Sequence, residues 1–283
     1  MKGELNELAL FAGSGGGILG GKLLGWNTRC AVEINPYARS VLLARQRDGQ
    51  LERFPIWDDI KTFDGRPWQG YIDVVSGGFP CQDISTAGRG AGIEGARSGL
   101  WKHMARIIGE VQPSYVLVEN SPVLVTKGLD VVLADLASMG FNAEWGVIGA
   151  WQAGAPHKRN RIWIVAYSKS MHRWDERKNF RDGKKRHSRT ILNEDNQNTR
   201  NVANTNCERC VGRESKIGLQ PTNNISTSNP QWWDIEPDVG RVADGVASRV
   251  DRLKCIGNGQ VPAVVKLAWN ILWDRINQRK KKR

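Results

Sequence analysis

Short apolar runs recur along the first 166 positions, separated by segments whose apolar residues fall at helical spacing. Leu5 to Ala12 is an apolar run that ends in Gly13-Ser14-Gly15-Gly16-Gly17, and Ile18 to Trp26 reads as a short helix. Arg29-Cys30-Ala31-Val32-Glu33-Ile34 reads as a buried strand closing on an acid, and Ile72 to Ser76 as another strand. Leu100 to Val111 carries Met104, Ile107, Ile108 and Val111 on one helical face. Tyr115 to Val118 is a strand ending at Glu119, Leu129 to Met139 a helix, and Arg161 to Ala166 a further strand. Strands alternating with helices predict an α/β fold with a mostly parallel sheet covered on both faces.

The pattern stops at about residue 168. From Ser168 to Gln220 the chain is polar, with thirteen Lys and Arg against seven Asp and Glu, and Pro221 to Gln231 has a loop composition. Periodicity returns near the end. A helix is predicted from Pro262 to Ile276, proline in its first turn, with Val264, Val265, Ala268, Ile271 and Leu272 as the buried stripe. Three segments follow: 1–167, where strands and helices alternate; 168–240, polar and basic at its start; and 241–283, which carries the last helix. The basic end, Arg279 to Arg283, reads as a solvated tail.

Composition narrows the partners. The formal net charge is +12 over 283 residues, half of it within the polar insertion, which favours a polyanion. No apolar run approaches the ~18 residues that span a bilayer, and Met1 to Leu5 lacks a signal-peptide core. The five cysteines are too few and odd for a disulfide framework, which suits a reducing interior. Cys207 and Cys210 form half of a zinc pattern without a second pair, so no metal is expected.

Three clusters carry candidate chemistry. Gly15 to Gly20 satisfies G-x-G-x-x-G, and Glu33 ends the following strand. This pattern suits a ribose-bearing cofactor without choosing between a dinucleotide and S-adenosylmethionine, and it also suits a bare βα turn. Cys81 follows Phe79-Pro80 at the carboxyl end of a strand, where such sheets place their ligands, and precedes a glycine-rich stretch. A cysteine there is either a buried small hydrophobe or a nucleophile. Glu119 would stand at the same edge, and Arg159 and Arg161 alternate into a strand and so would share a face.

In their order along the chain these segments resemble the DNA (cytosine-5) methyltransferase family: Leu10 to Gly16, Gly78 to Gln82, Glu119-Asn120, Arg159-Asn160-Arg161 and Gly257 to Pro262. The departures are Ala9 for a frequent acid, Ser121 after Glu119-Asn120, and His157 before the arginine pair. The resemblance implies a Rossmann-like, S-adenosylmethionine-dependent methyltransferase: 1–167 a catalytic and cofactor-binding domain, 168–240 a small inserted target-recognition region, and 241–283 a segment that returns to the catalytic domain. Cys81 would attack C6 of a flipped-out cytosine, Glu119 would hold or protonate N3, and Arg161 with Arg159 would contact the O2 side of the base. Phe11, Gly13, Ser14, Gly15 and Gly16 would form the cofactor loop. Glu33 would hold the ribose, and Ile34, Asp59 and Ile60 would face the adenine. Pro80, Leu100, Asn258 and Val261 would complete the cofactor site.

The resemblance also implies double-stranded DNA as partner, no membrane, a monomer, and a cytoplasmic, nucleoid-associated location; it leaves open a cognate restriction endonuclease in the same cell or an enzyme that stands alone. The compact layout resembles phage and prophage members. A tRNA methyltransferase on the same motifs is the nearest rival. Amino-group methylation fits poorly, because Asn35-Pro36-Tyr37 lacks the second proline that chemistry wants.

Overall fold

Alternation along β1 (Asn6–Leu10) sets the two faces of the sheet. Leu8 and Leu10 point into one buried cluster, and Ala9 points into another on the opposite side. The computed structural model describes residues 4–80, 99–168 and 248–281. Cys81, the glycine-rich stretch after it, and almost all of the 168–240 insertion, with Cys207 and Cys210, lie outside the described residues.

Among the described residues seven strands form one sheet: β1, β2 (Asn27–Val32), β3 (Ile56–Trp57), β4 (Val74–Gly77), β5 (Tyr115–Asn120), β6 (Phe141–Ile148) and β7 (Arg161–Ser168). Their order is β3-β2-β1-β4-β5-β7-β6. The first five run parallel, and β7 is antiparallel to both β5 and β6. Strand order reverses between β1 and β4, which opens a crevice beyond their carboxyl ends. The expected Rossmann-like, mostly parallel sheet is therefore present.

Helix α3 (Leu100–Val111) buries Met104, Ile107, Ile108 and Val111 on one face of the sheet, and α4 (Leu129–Ser138) adds Leu129, Val132 and Leu136. Each fully buried aliphatic chain contributes about 1.5–3 kcal/mol. Helix α1 (Gly16–Leu23) lies on the other face. It starts two residues before the expected Ile18 and stops at Leu24, where Gly25 turns the chain at φ +81°. Trp26 is thereby freed from the helix and packs edge-on against Trp269, ring centres 4.8 Å apart.

Two helices and one long strand differ from the sequence expectation. Asn35-Pro36 opens helix α2 (Pro36–Arg47): the Asn35 side chain accepts from Ala38 N at 3.0 Å, and proline stands in the first turn. These residues act as a helix start, not as a methylation motif. Helix α5 (Arg249–Asn258) precedes the last turn before α6 (Pro262–Lys281). Strand β6 was hidden because its inward side includes a charge. Glu144 is buried and pairs with Arg279 at 2.8 Å.

The same pair corrects the reading of the basic end. Helix α6 runs past Ile276 through Lys281. Arg279 reaches Glu144, and the Lys280 ammonium lies 4.5 Å from the Tyr167 ring centre. The start of the expected tail is thus part of the packed helix. Within α6, Val264, Val265, Ala268, Trp269, Leu272 and Ile276 are buried, and Ile271 is only half-buried.

Candidate active site

The crevice begins at the turn from β1 into α1. Phe11 and Gly13 take left-handed backbone at φ +52° and +55°, and Gly15 follows at +97°. Ala12 N donates to Val32 O (3.1 Å) and Gly15 N to Ala12 O (3.0 Å), which folds the loop over the ends of β1 and β2. Glu33 locks it. Its Oε2 accepts from Gly13 N and its Oε1 from Asn35 N, each at 2.7 Å. Helix α1 has no side-chain cap and no acid in its first turn, so its N-terminal amides are left to the crevice.

These features fit S-adenosylmethionine. A β-carbon on Gly13 would meet nothing within 4 Å, so the loop there borders open space. The Glu33 carboxylate keeps lone pairs beyond its two backbone donors and suits ribose hydroxyls. Ile34 is two-thirds exposed and offers an apolar surface beside it. Asp59 Oδ1 accepts from Lys61 N at 2.9 Å, which orients its carboxylate at the end of β3. Ile60 differs: its side chain belongs to the hydrophobic core. Leu100 is half-buried at the start of α3, packed on the core, and Pro80 is exposed.

The C-terminal segment returns to this loop. Burial pushes the pKa of the Cys255 thiol up, and the Ser14 side chain beside it acts in the opposite direction. Asn258 lines the cleft, and Val261 accepts from Val264 N and Val265 N to start α6. The cleft is open to solvent and runs from Ala9–Gly13 past Ser76–Gly78 to Glu119 and Asn258–Gln260.

At the far side β5 delivers the acid. Glu119 is 9% exposed at the strand end, paired in register with Trp163 of β7. Its Oε1 lies 3.0 Å from Arg161 Nε, and its Oε2 accepts from Gln260 Nε2 at 3.4 Å. Burial raises the Glu119 pKa above the usual carboxylate range; Arg161, then Gln260 and Arg159, act in the opposite direction. A buried acid whose hold on its proton is strengthened is suited to giving or sharing that proton.

Next to it, Asn120 Nδ2 donates to Phe79 O at 3.1 Å. The Phe79 ring is buried against Trp101, centres 5.4 Å apart. The chain leading into Pro80 and Cys81 is therefore anchored twice, by a side-chain amide and by an aromatic contact. Asn120 carried no role in the sequence reading beyond its place after Glu119.

The arginine pair separates. Strand β7 begins at Arg161, and Arg159 precedes it at φ +32°, so the two do not alternate along one strand face as expected. Arg161 reaches Glu119. Arg159 Nη2 donates to Gly257 O (2.6 Å) and Gly259 O (2.7 Å), tying the loop before β7 to the end of α5.

Gln260 is the residue that sequence reasoning passed over. It stood within the quoted Gly257–Pro262 segment, but nothing in the sequence shows that its side chain ends on Glu119. The signal lay in glycines elsewhere, described below.

The sequence model of the C-5 cytosine-specific DNA methylase family matches residues 5–266. The chain belongs to that family. Among curated proteins, it is 32% identical over 170 residues to the Type II methyltransferase M2.BsuMI of Bacillus subtilis, covering 57% of this chain and 42% of that protein. It is 35% identical over 168 residues to the Type II methyltransferase M.CviJI of Paramecium bursaria Chlorella virus IL3A, covering 59% and 44%. The chain thus spans less than half the length of these two relatives. A crystal structure described as a DNA modification methyltransferase encoded within an E. coli prophage is similar at 25% identity and a TM-score of 0.48, covering 60% of this chain and 48% of that one. No helix among the described residues is long and apolar enough to cross a membrane.

Proposed function

We propose that this protein transfers a methyl group from S-adenosylmethionine to C5 of cytosine in specific double-stranded DNA sites. Family membership supports the reading, as do relatives named Type II methyltransferases. The observation that carries it is the buried Glu119–Arg161 pair at one end of a cleft whose other end is the glycine loop.

When bound, S-adenosylmethionine supplies an electrophilic methyl group on a sulfonium sulfur. The chain's own residues make C5 able to accept it. The Cys81 thiolate adds to C6, which ends the ring's aromaticity and pushes electron density onto C5. Glu119 gives or shares a proton at N3, so negative charge does not accumulate in the ring. Arg161 holds Glu119 and faces the O2 side of the base, with Arg159 supporting the loop behind it. After C5 takes the methyl group, loss of the C5 proton and expulsion of Cys81 restore the aromatic ring and free the thiolate. Glu33, with Phe11, Gly13, Ser14, Gly15 and Gly16, holds the donor. Ile34, Asp59, Pro80, Leu100, Asn258 and Val261 complete the donor site; Ile60 supports it from the core.

The target base cannot be reached inside a duplex, so it leaves the stack to meet Cys81. Residues 168–240 read the DNA, their basic surplus drawing the phosphates in. The working form is a monomer on cytoplasmic, nucleoid DNA, either paired with a cognate restriction endonuclease or acting without one. Incubation with radiolabelled S-adenosylmethionine and either duplex DNA or tRNA tests this reading. Label is expected in DNA, and Cys81→Ser is expected to bind DNA without transferring label. Label in RNA alone would overturn the DNA assignment in favour of the tRNA one.

A further inference from the structure

Two glycines from separate segments, Gly17 and Gly78, are cleared for one side chain, and a third, Gly16, for the backbone of the same residue. A β-carbon on Gly16 would run into the Gln260 carbonyl oxygen. One on Gly17 would lie 2.6 Å from Gln260 Oε1. One on Gly78, just past β4, would lie 3.0 Å from Gln260 Nε2 and 2.5 Å from Glu119 Oε2. Contacts closer than 3 Å are not tolerated by real β-carbons, so any side chain at Gly17 or Gly78 must displace the Gln260 amide or the carboxylate beside it.

The amide is oriented by charge. Its Oε1 sits at the N-terminal end of α1, where the helix dipole and unpaired amides favour an acceptor. Its Nε2 points at the Glu119 carboxyl. The reversed orientation would set two oxygens face to face at Glu119 and two donors at a helix N-terminus. A glutamate carboxyl also rotates easily about its last bond. Here one oxygen is held by Arg161 from β7 and the other by Gln260 from the turn before α6, which fixes its plane.

We propose that Gln260 is a positioning residue that locks the Glu119 carboxyl to the glycine loop, so that the donor-binding loop and the acid are held as one unit. The proposal rests on the reading of Glu119 given above. Gln260 acts through the orientation of Glu119.

The test is Gln260→Met, which keeps length and apolar stem and removes the amide. Methyl transfer is measured on bulk unmethylated duplex DNA from pH 6 to 10, alongside DNA affinity and thermal unfolding. Gln260→Asn, which withdraws the amide by one carbon, serves as the second variant should the first fail to fold. The turnover rate is expected to fall about tenfold to a hundredfold, with DNA affinity unchanged and the alkaline limb of the profile moved to higher pH, because a donor to the carboxylate is gone. Glu119→Gln is run in parallel. Wild-type rate and an unmoved limb in both Gln260 variants, with Glu119→Gln inactive, would overturn the positioning role alone. A fully active Glu119→Gln would overturn the reading of Glu119 and this inference with it.

Discussion

Arg161 Nε meets Glu119 Oε1 across 3.0 Å, although the two residues stand forty-odd positions apart on antiparallel strands. Burial raises the Glu119 pKa, and the guanidinium opposes that shift. Removing Arg161 therefore shifts the Glu119 pKa further up. Arg161→Met is expected to lower turnover about a hundredfold and to move the alkaline limb of the pH–rate profile upward. A pH series of methyl transfer on the wild type and this variant checks both.

Glu7 sets a second pH dependence, on stability. It is fully buried on β1, accepting from Ser76 Oγ at 2.6 Å and Thr28 Oγ1 at 2.7 Å, and burial raises its pKa to about 7. A carboxyl whose folded pKa is raised gives its full stabilisation below the unfolded value near 4.5, and that stabilisation is lost as pH rises through about 7. The loss is on the order of 3 kcal/mol. Glu7→Gln keeps donors and acceptors without the charge. It is expected to raise the thermal midpoint at pH 8 by several degrees and to leave it nearly unchanged at pH 5, by differential scanning calorimetry.

Helices α1 and α6 touch through the Cα of Gly20, where a β-carbon would run into the Val265 side chain. Valine is stiff at its first torsion and cannot swing away. Gly20→Ala is expected to destabilise the fold by about 1–3 kcal/mol, despite alanine's better helix propensity. Urea unfolding with an unchanged slope would show this as a lower midpoint.

Arg279 covers a buried acid from an exposed position, its own side chain 72% accessible. Screening makes the pair modest, so Arg279→Ala is expected to cost about 1 kcal/mol, seen as a midpoint lowered by a few degrees. Arg283→Ala, at the chain end, serves as the comparison and is expected to leave the midpoint unchanged.

The sheet was legible where a strand opens on an apolar run, as in β5, or a helix keeps its period, as in α3. It was not legible where a charge points inward. Glu144 breaks the alternation of β6 because its partner, Arg279, comes from the last helix. Helix α2 was masked by its arginines and by Asn35-Pro36-Tyr37, which invites comparison with a chemical motif before it is seen as a cap. Within the site, Glu119, Arg161 and the glycine loop could be picked out because each residue type states its own chemistry. Gln260 could not, since its role lies in what Gly17 and Gly78 leave open to its side chain. Arg159 was expected to share a face with Arg161, but a single left-handed residue turns it toward Gly257 and Gly259.

Bisulfite sequencing of DNA from cells expressing the protein tests the central claim most directly. The account predicts protected cytosines confined to one sequence context, present with the wild type and absent with Cys81→Ser. Fully converted DNA from cells making the folded wild-type protein, or protection that persists in Cys81→Ser, would contradict it.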